Sequence, residues 1–378
     1  MISIEQMILA CSAELKADLY QQQRLHRLMN QGMDVDHLIN MAIDEGLTGF
    51  LYKNMVKSGE LKNLNDEQIE CIRFLYHRNT FFNLKLIHDF KKVLHQLNQN
   101  GIKVVLLKGI SLLNQVYNDI GLRPMMDIDL WIPNEDYPEL IRILTLQGYR
   151  RGTVYPNTFM RGPTTIDLHS HILGERIKAR ELLFSQNHFY DNAQSIDFEG
   201  EETLCLNKYD QVIYLSLHAL KHNVDRLIWL VDIKNVIAGW KRSDWEALKD
   251  RALYVGQQKS VSYVFFLLRD LFDFQFPPEA RKLFGDEKLL LLEKKLLRER
   301  KKKGALPAWA PLLLFSPEGR LKKRFNFILE TLFPRLEILR QVFVNFSERK
   351  AWQLYCMRVL QLISMIKLSL KRRIGIKL

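Results

Sequence analysis

Two aspartates stand two residues apart in an apolar run, Met125-Met126-Asp127-Ile128-Asp129-Leu130-Trp131-Ile132. The alternation predicts a β-strand, in which residues i and i+2 share a face, so the spacing aims both carboxylates together. A third carboxylate, Asp167, lies in a second run of strand character, Thr164-Thr165-Ile166-Asp167-Leu168-His169. Carboxylates are hard oxygen donors, and Mg2+ takes one or two of them together with phosphate oxygens. Two carboxylates on one strand face bridge two such ions. A third on a neighbouring strand completes one site or takes the proton from an attacking hydroxyl. The matching chemistry is nucleotidyl transfer: polyphosphate charge is neutralised and the α-phosphorus is held in line with its acceptor.

Other residues suit the phosphate end. The apolar run Val104-Val105-Leu106-Leu107 predicts a strand that breaks at Lys108-Gly109-Ile110-Ser111, before a short helical pattern of Leu112, Leu113, Val116 and Tyr117. A glycine lets backbone approach a ligand closely, and free N–H groups at a helix start attract phosphate. Ser111 adds a hydroxyl, while Lys108 and Arg123 supply positive charge, the latter able to bind bidentately. His169 follows Asp167 by two residues, on the same strand face, where it lines the site or orients the acceptor. It forms His-x-His with His171, but no Cys or further His stands at a familiar zinc spacing. His218 and His222 share one face of a predicted helix, for which helix packing is the plainer reading. An Asp-x-Asp pair alone is a weak signal. The specificity lies in the order: strand, Lys-Gly-x-Ser, helix, Arg, Asp-x-Asp strand, helix, Asp strand.

The segments LLKGISLL, GLRPMMDIDLWI, QGYR and IDLHSHI resemble the bacterial uncharacterised nucleotidyltransferase family, within the DNA polymerase beta-like superfamily. The likeness runs from the helical segment before GIKVVLLKG through HALKHNVDRLIWLVDI, to about Trp240. It implies an α+β fold, a small mixed β-sheet core flanked by N-terminal and C-terminal helical regions. It implies a metal-dependent enzyme that moves a nucleoside monophosphate from a nucleoside triphosphate (NTP) to a hydroxyl acceptor, releasing pyrophosphate. Carried over by position, Gly109 and Ser111 form the phosphate turn. Asp127, Asp129 and Asp167 are the catalytic metal ligands, for two Mg2+ ions, and Lys108, Arg123 and His169 join the nucleotide site. His218, Lys221, His222 and Asp232 face the cleft from the helical region. Two departures from the superfamily pattern stand out: a Gly-Ile-Ser turn, and a long connection from Leu112 to Met126.

The surrounding elements fit such a core. Residues 1–100 read as helices, with a pattern over Met33–Met55 interrupted at Gly46 and Gly49. Asn65-Asp66-Glu67-Gln68 opens a long helix that Asn98-Gln99-Asn100-Gly101 closes. The core is expected over 101–206, with a helix from Tyr137 to Gln147 and, past residue 175, either a surface excursion or a hairpin near Ala193–Leu206. Residues 207–378 read as helical: Tyr209–His222, Leu227–Trp240, Val261–Phe274 up to Pro277-Pro278, and a charged helix Glu287–Lys303. Beyond the break at Gly304–Pro317, basic helices part near Pro334 and Ser347. Trp229, Trp240 and Trp245 read as packing.

The chain has 378 residues and a net charge of +12, and residues 280–378 carry 24 Lys and Arg against 8 Asp and Glu. The basic character therefore belongs to the C-terminal quarter. A solvated helical surface explains it most simply; contact with nucleic acid or an anionic membrane is the weaker alternative. No apolar run nears the roughly 20 residues that span a bilayer. The N-terminus lacks a signal-peptide pattern. Four scattered cysteines (Cys11, Cys71, Cys205, Cys356) read as plain thiols, and a cytoplasmic location is expected. The alternative to an enzyme is a non-catalytic nucleotide-binding module, or an anionic-surface protein using the C-terminal helices. The acceptor is a small molecule, a peptide or a protein, and the sequence does not choose.

Overall fold

The computed structural model describes residues 3–15, 18–133, 135–153, 155–172, 186–307, 309–314, 325, 329, 332–343 and 346–373. The fold is α+β. Four helices lead in, α1 (Ile4–Ser12), α2 (Leu19–Met29), α3 (Val35–Glu45) and α4 (Thr48–Ser58), followed by the long α5 (Asp66–Gln99). The sheet region contains β1 (Val105–Leu107), α6 (Lys108–Gln115), β2 (Ile128–Trp131) and α7 (Tyr137–Leu146). It continues with β3 (Arg150–Arg151), β4 (Thr158–Arg161), β5 (Thr164–His169), β6 (Gln194–Phe198) and β7 (Glu201–Cys205).

Helix α5 starts where its sequence dictates. The Asn65 side chain accepts from the Gln68 N–H at 2.9 Å and the Gln68 side chain accepts from the Asn65 N–H at 3.1 Å, a reciprocal capping box. Asp66 and Glu67 lie in the first turn, favourable to the helix dipole. The helix closes before Gly101, whose φ of +70° suits glycine. Its first half packs on α4; Leu86, Phe90, Val93, Leu94 and Leu97 of the second half are buried, and it contacts β5 and β7. Phe90 meets Phe198 of β6 edge-to-face at 5.4 Å between centroids.

The sheet has seven strands in the order β3-β4-β5-β2-β1-β7-β6. Strand β2 is central, antiparallel to β1 and parallel to β5. The register places Asp129 opposite Leu107 on one side and opposite Asp167 on the other. Two carboxylates from segments far apart in sequence are thus set side by side by strand pairing.

Beyond the sheet, the helix Lys208–Lys221 is buried along almost its whole length. It packs against the helices Ile228–Val236, Arg242–Tyr254 and Gln258–Phe272. One continuous apolar cluster runs from Ile8 to Leu314 and joins all these regions. Among the described residues, no helix is long and apolar enough to cross a membrane.

Several local expectations change. Lys108-Gly109-Ile110-Ser111 forms the first turn of α6, because the chain leaves β1 abruptly at Lys108, whose φ is +50°. Strands β3 and β4, of two and four residues, are too short to show a period in the sequence. The expected hairpin is β6–β7, turned through Glu199 and Gly200 at φ +55° and +86°. The excursion before it lies partly outside the described residues, at 173–185. The helix before Pro277-Pro278 ends at Phe272, capped by Asp273 at φ +54°, and Pro278 instead starts another, Pro278–Phe284, since proline is tolerated in a first helical turn. The charged segment Glu287–Lys303 is broken into Leu291–Leu297 and Glu299–Lys303. The break accompanies the inward turn of Arg300, which is 2% exposed. Past residue 314, the helices Leu336–Val342 and Ala351–Arg373 flank Ser347, and Pro334 precedes the first of them. The rest of the 315–331 stretch lies outside the described residues, apart from 325 and 329.

The connection from α6 to β2 is long yet firmly held. Asn83 of α5 is fully buried; its Nδ2 donates to the carbonyls of Ile120 (2.6 Å) and Arg123 (2.8 Å), and its Oδ1 accepts from the Met125 N–H (3.3 Å). Gly121 presses against α5: a Cβ there would lie 2.4 Å from Thr80 Oγ1 and from Tyr76 Cε2. Asn83 therefore fixes the run-in to the Asp-x-Asp strand. Replacing Asn83 with Ala orphans three buried backbone groups and is expected to cost about 2–4 kcal/mol, from about 1–3 kcal/mol per unmet group with partial relaxation. Chemical denaturation of the N83A protein checks this; a loss under about 0.5 kcal/mol, the level of an ordinary surface change, would show that the loop holds itself.

Candidate active site

A cleft of about 510 Å³ opens over the end of β2 and β5. Its floor carries Asp127, Asp129, Asp167, His169 and Lys108, and its other wall carries His218, Lys221, His222, Arg226 and Trp229. The floor follows from the sheet. Asp129 is within β2 and 3% exposed, Asp167 is its register partner on β5, and Asp127 lies just before β2 at the cleft mouth, open to solvent.

Charge and hydrogen bonding make these carboxylates unequal. Lys108 Nζ is 2.6 Å from Asp129 Oδ1, and His169 Nε2 is 2.8 Å from the same oxygen. Burial works against the Asp129 charge, but Lys108 and then His169 hold its pKa well below the usual carboxylate range. Lys108 in turn is held cationic: burial opposes its charge, and Asp129, Tyr214 and Asp127 more than compensate. Asp127 has no such partner. Partial burial and then the neighbouring Asp129 charge push its pKa up to about 6. Because Asp127 is open to solvent on one side, the like charge of Asp129 is the firmer of the two causes. Asp167 accepts from Thr158 Oγ1 at 3.0 Å, and its Oδ2 lies 3.3 Å from His169 Nε2.

One set has the spacing of a cation site. Asp129, Asp167 and His169 each offer a ligand atom, and these atoms lie within 4.8 Å of one another. Asp127 lines the same cleft but stands outside this trio. His171 is buried and also outside it.

The residues expected at the phosphate end are divided by the structure. Lys108 and Gly109 line the cleft. The space a Cβ of Gly109 would need is filled by Arg123 Nη1 at 2.4 Å and Met125 Cγ at 2.8 Å, so its small size serves packing. Ser111 is 1% exposed and does not line the cleft; its hydroxyl accepts from Gln115 at 2.9 Å and Gln211 at 3.4 Å. Arg123 lines the cleft but is bound to Asp232 of the helical region through Nε (2.9 Å to Oδ1) and Nη2 (2.9 Å to Oδ2). Tyr117 also donates to Asp232, at 2.6 Å. Asp232 is thus the anchor of Arg123 and takes no place among the cleft-lining residues.

Sequence reasoning did not single out Tyr155, Asn157, Thr158 or Arg226, which line the cleft, nor Tyr214, buried beside Lys108. Trp229, expected only to pack, lines the cleft as well. The local sequence around these residues carries no signal of it. They reach the site from the β3–β4 segment, from the buried helix, and from the turn and helix that follow it, and only the tertiary fold brings them there.

No curated protein and no solved structure matches the chain. One family model does, over residues 31–273, which takes in helices α3–α7, the whole sheet, both sides of the cleft and the helices through Gln258–Phe272. Because that match covers more than half of the 378 residues, the chain belongs to the uncharacterised nucleotidyltransferase family.

Proposed function

We propose that the cleft binds a nucleoside triphosphate with a divalent cation, Mg2+ in the first instance, and transfers its nucleoside monophosphate to a hydroxyl acceptor. The observation that carries this reading is the pairing of Asp129 with Asp167 across parallel strands, with Asp127 at the mouth of the same cleft. The donor set fits a divalent cation: carboxylates and an imidazole converge, and the raised pKa of Asp127 marks negative charge still uncompensated. Asp129 and Asp167 would hold the cation, with His169 beside them and Asp127 at a second position. When bound, the cation neutralises phosphate charge and polarises the phosphoryl group.

The chain's own groups do the rest. Lys108 sets an ammonium at the start of α6, next to Asp129, where it meets polyphosphate charge. The acceptor oxygen forms a bond to the α-phosphorus as the bond from that phosphorus to the bridging oxygen breaks. Pyrophosphate leaves with that electron pair, and the hydroxyl proton passes to a cleft carboxylate. Thr158 orients Asp167 through its 3.0 Å hydrogen bond. Arg123, bound to Asp232, holds the two cleft walls at a fixed distance.

Asp129→Asn and Asp167→Asn keep side-chain shape and remove the charge. Each is expected to lower metal-dependent pyrophosphate release by at least about a hundredfold, the scale of losing one transition-state-stabilising group. Each should also weaken cation-dependent NTP binding measured by calorimetry. If both variants fold and bind nucleotide with the cation as tightly as the unaltered chain does, the reading is wrong.

Asp127 gives a second test. Its pKa is about 6 in the folded chain against an ordinary 3.8, so the folded state holds this proton more tightly than the unfolded state. Its contribution to stability is therefore intact below about pH 4 and is lost as pH rises through about 6. Asp127→Asn abolishes that loss. In cation-free buffer, the Tm of D127N relative to the unaltered chain should climb by a few degrees between pH 4 and pH 7.5. A constant or shrinking difference would show that Asp127 is not crowded by Asp129.

A further inference from the structure

The wall across from the carboxylates carries three aromatic rings beside Lys221 and Arg226. Trp229 is half-buried and meets the His218 ring edge-on, with centroids 5.0 Å apart at 71°. His222 lies 5.4 Å from Trp229 and 4.7 Å from His218, so the three rings form one patch lining the cleft. Burial, and then the positive charge of Lys108 and neighbouring groups, hold His218 well below its usual pKa, so its ring is neutral at working pH. A patch of three rings, with that of His218 neutral, is a good surface for another flat ring.

The backbone that presents this patch is strained and tied down. Between His222 and Trp229, the consecutive residues Asn223 and Val224 adopt left-handed φ values of +57° and +48°. For a β-branched residue such as Val224 that conformation is a true outlier. It is enforced from outside the turn. Buried Arg300 donates to the Val224 carbonyl and, at 2.6 Å, to Glu45. Glu45 also accepts from the Leu227 N–H at 2.7 Å, and the Leu306 N–H donates to the Asn223 carbonyl at 2.8 Å. Strain of this kind persists where the surrounding structure over-determines it, and it fixes the ring position before any ligand arrives.

We propose that Trp229, with His222 beside it, is the stacking platform for the nucleobase of the donor nucleotide. The proposal rests on the nucleotide reading of the cleft: with the polyphosphate over Lys108 and the carboxylates, the part left to place is a flat, neutral heterocycle. Stacking reads the π-face that every base has, so recognition through this wall tolerates all four bases.

The test separates base from phosphate. Calorimetry with Mg·ATP and with Mg·tripolyphosphate is run on the full-length chain and on its W229A and W229F variants, with folding checked by circular dichroism. Trp229→Ala should weaken Mg·ATP binding by about tenfold or more and leave Mg·tripolyphosphate binding unchanged, while Trp229→Phe should hold Mg·ATP within about threefold, since a ring is kept. Equal weakening of both ligands in W229A would assign Trp229 a structural role and overturn the proposal. No weakening of either would overturn it too, and would leave the patch to an aromatic acceptor. If the unaltered chain binds neither Mg·ATP nor Mg·tripolyphosphate, the donor reading itself fails, a different result from losing the base contact alone.

Discussion

The cleft depends on one buried ion pair. Arg123 comes from the connection before β2 and Asp232 from the helix Ile228–Val236, and both are nearly or fully inaccessible to solvent. Desolvating two charges is costly, so such a pair is kept only when its geometry and remaining hydrogen bonds are met. Here the guanidinium binds both carboxylate oxygens and Tyr117 donates a further hydrogen bond to Asp232. Removing one partner would leave the other buried and uncompensated. The contact spans more than a hundred residues of sequence and sets the sheet floor against the helical wall. Without it, Asp127 and Asp129 would still lie two residues apart at the start of β2, but nothing in their own segment would place His218, His222 and Trp229 across from them.

The same device recurs at the wall. Arg300 and Glu45 join the C-terminal basic region, the N-terminal helices and the strained turn before Trp229. Lys234 does similar work, buried against Glu14 at 2.7 Å and the Ala13 carbonyl. Part of the positive charge is therefore structural. Arg300 stands within Arg298–Lys303, a basic run that reads in sequence as solvated surface; the fold turns it inward to hold the active cleft.

What the sequence showed and what it hid separate by the range of the interactions. Asp127, Asp129 and Asp167 were legible because strand alternation and apolar flanks are local features. The long α5 was legible for the same reason: Asn65, Gln68 and Gly101 signal its ends within a few residues. Ser111 and Arg123 looked like phosphate ligands because their types and positions suit that task. Their long-range partners, Gln211 and Asp232, lie at least a hundred residues away and hold these side chains by contacts that no local pattern records. Trp229 failed to show for the complementary reason. Its apolar neighbours fit packing and site equally well, and what turns its ring to the cleft is a backbone conformation enforced by Arg300. The carboxylate floor of the cleft is written in short-range code and the facing wall in long-range contacts.

Asp127 and Asp129 are neighbours in the cleft and unlike in state. Asp129 is buried, paired with Lys108 and His169, and kept ionised, whereas Asp127 lies one pleat away at the mouth with a pKa near 6. Environments that push neighbouring carboxylates apart in this way are how one short segment supplies both a fixed negative charge and an exchangeable proton. The cause is plain in the register. Asp129 sits within the paired segment of β2, between Leu107, whose successor Lys108 begins α6, and Asp167, two residues before His169. Asp127 stands just before the pairing begins, exposed at the mouth, where the charges of Lys108 and Arg123 offset burial and the Asp129 charge only in part. The inequality thus comes from where β2 starts to pair. A slip of one residue in that register would turn both aspartates to the opposite face, and the site would lose its fixed charge with every carboxylate still in the chain.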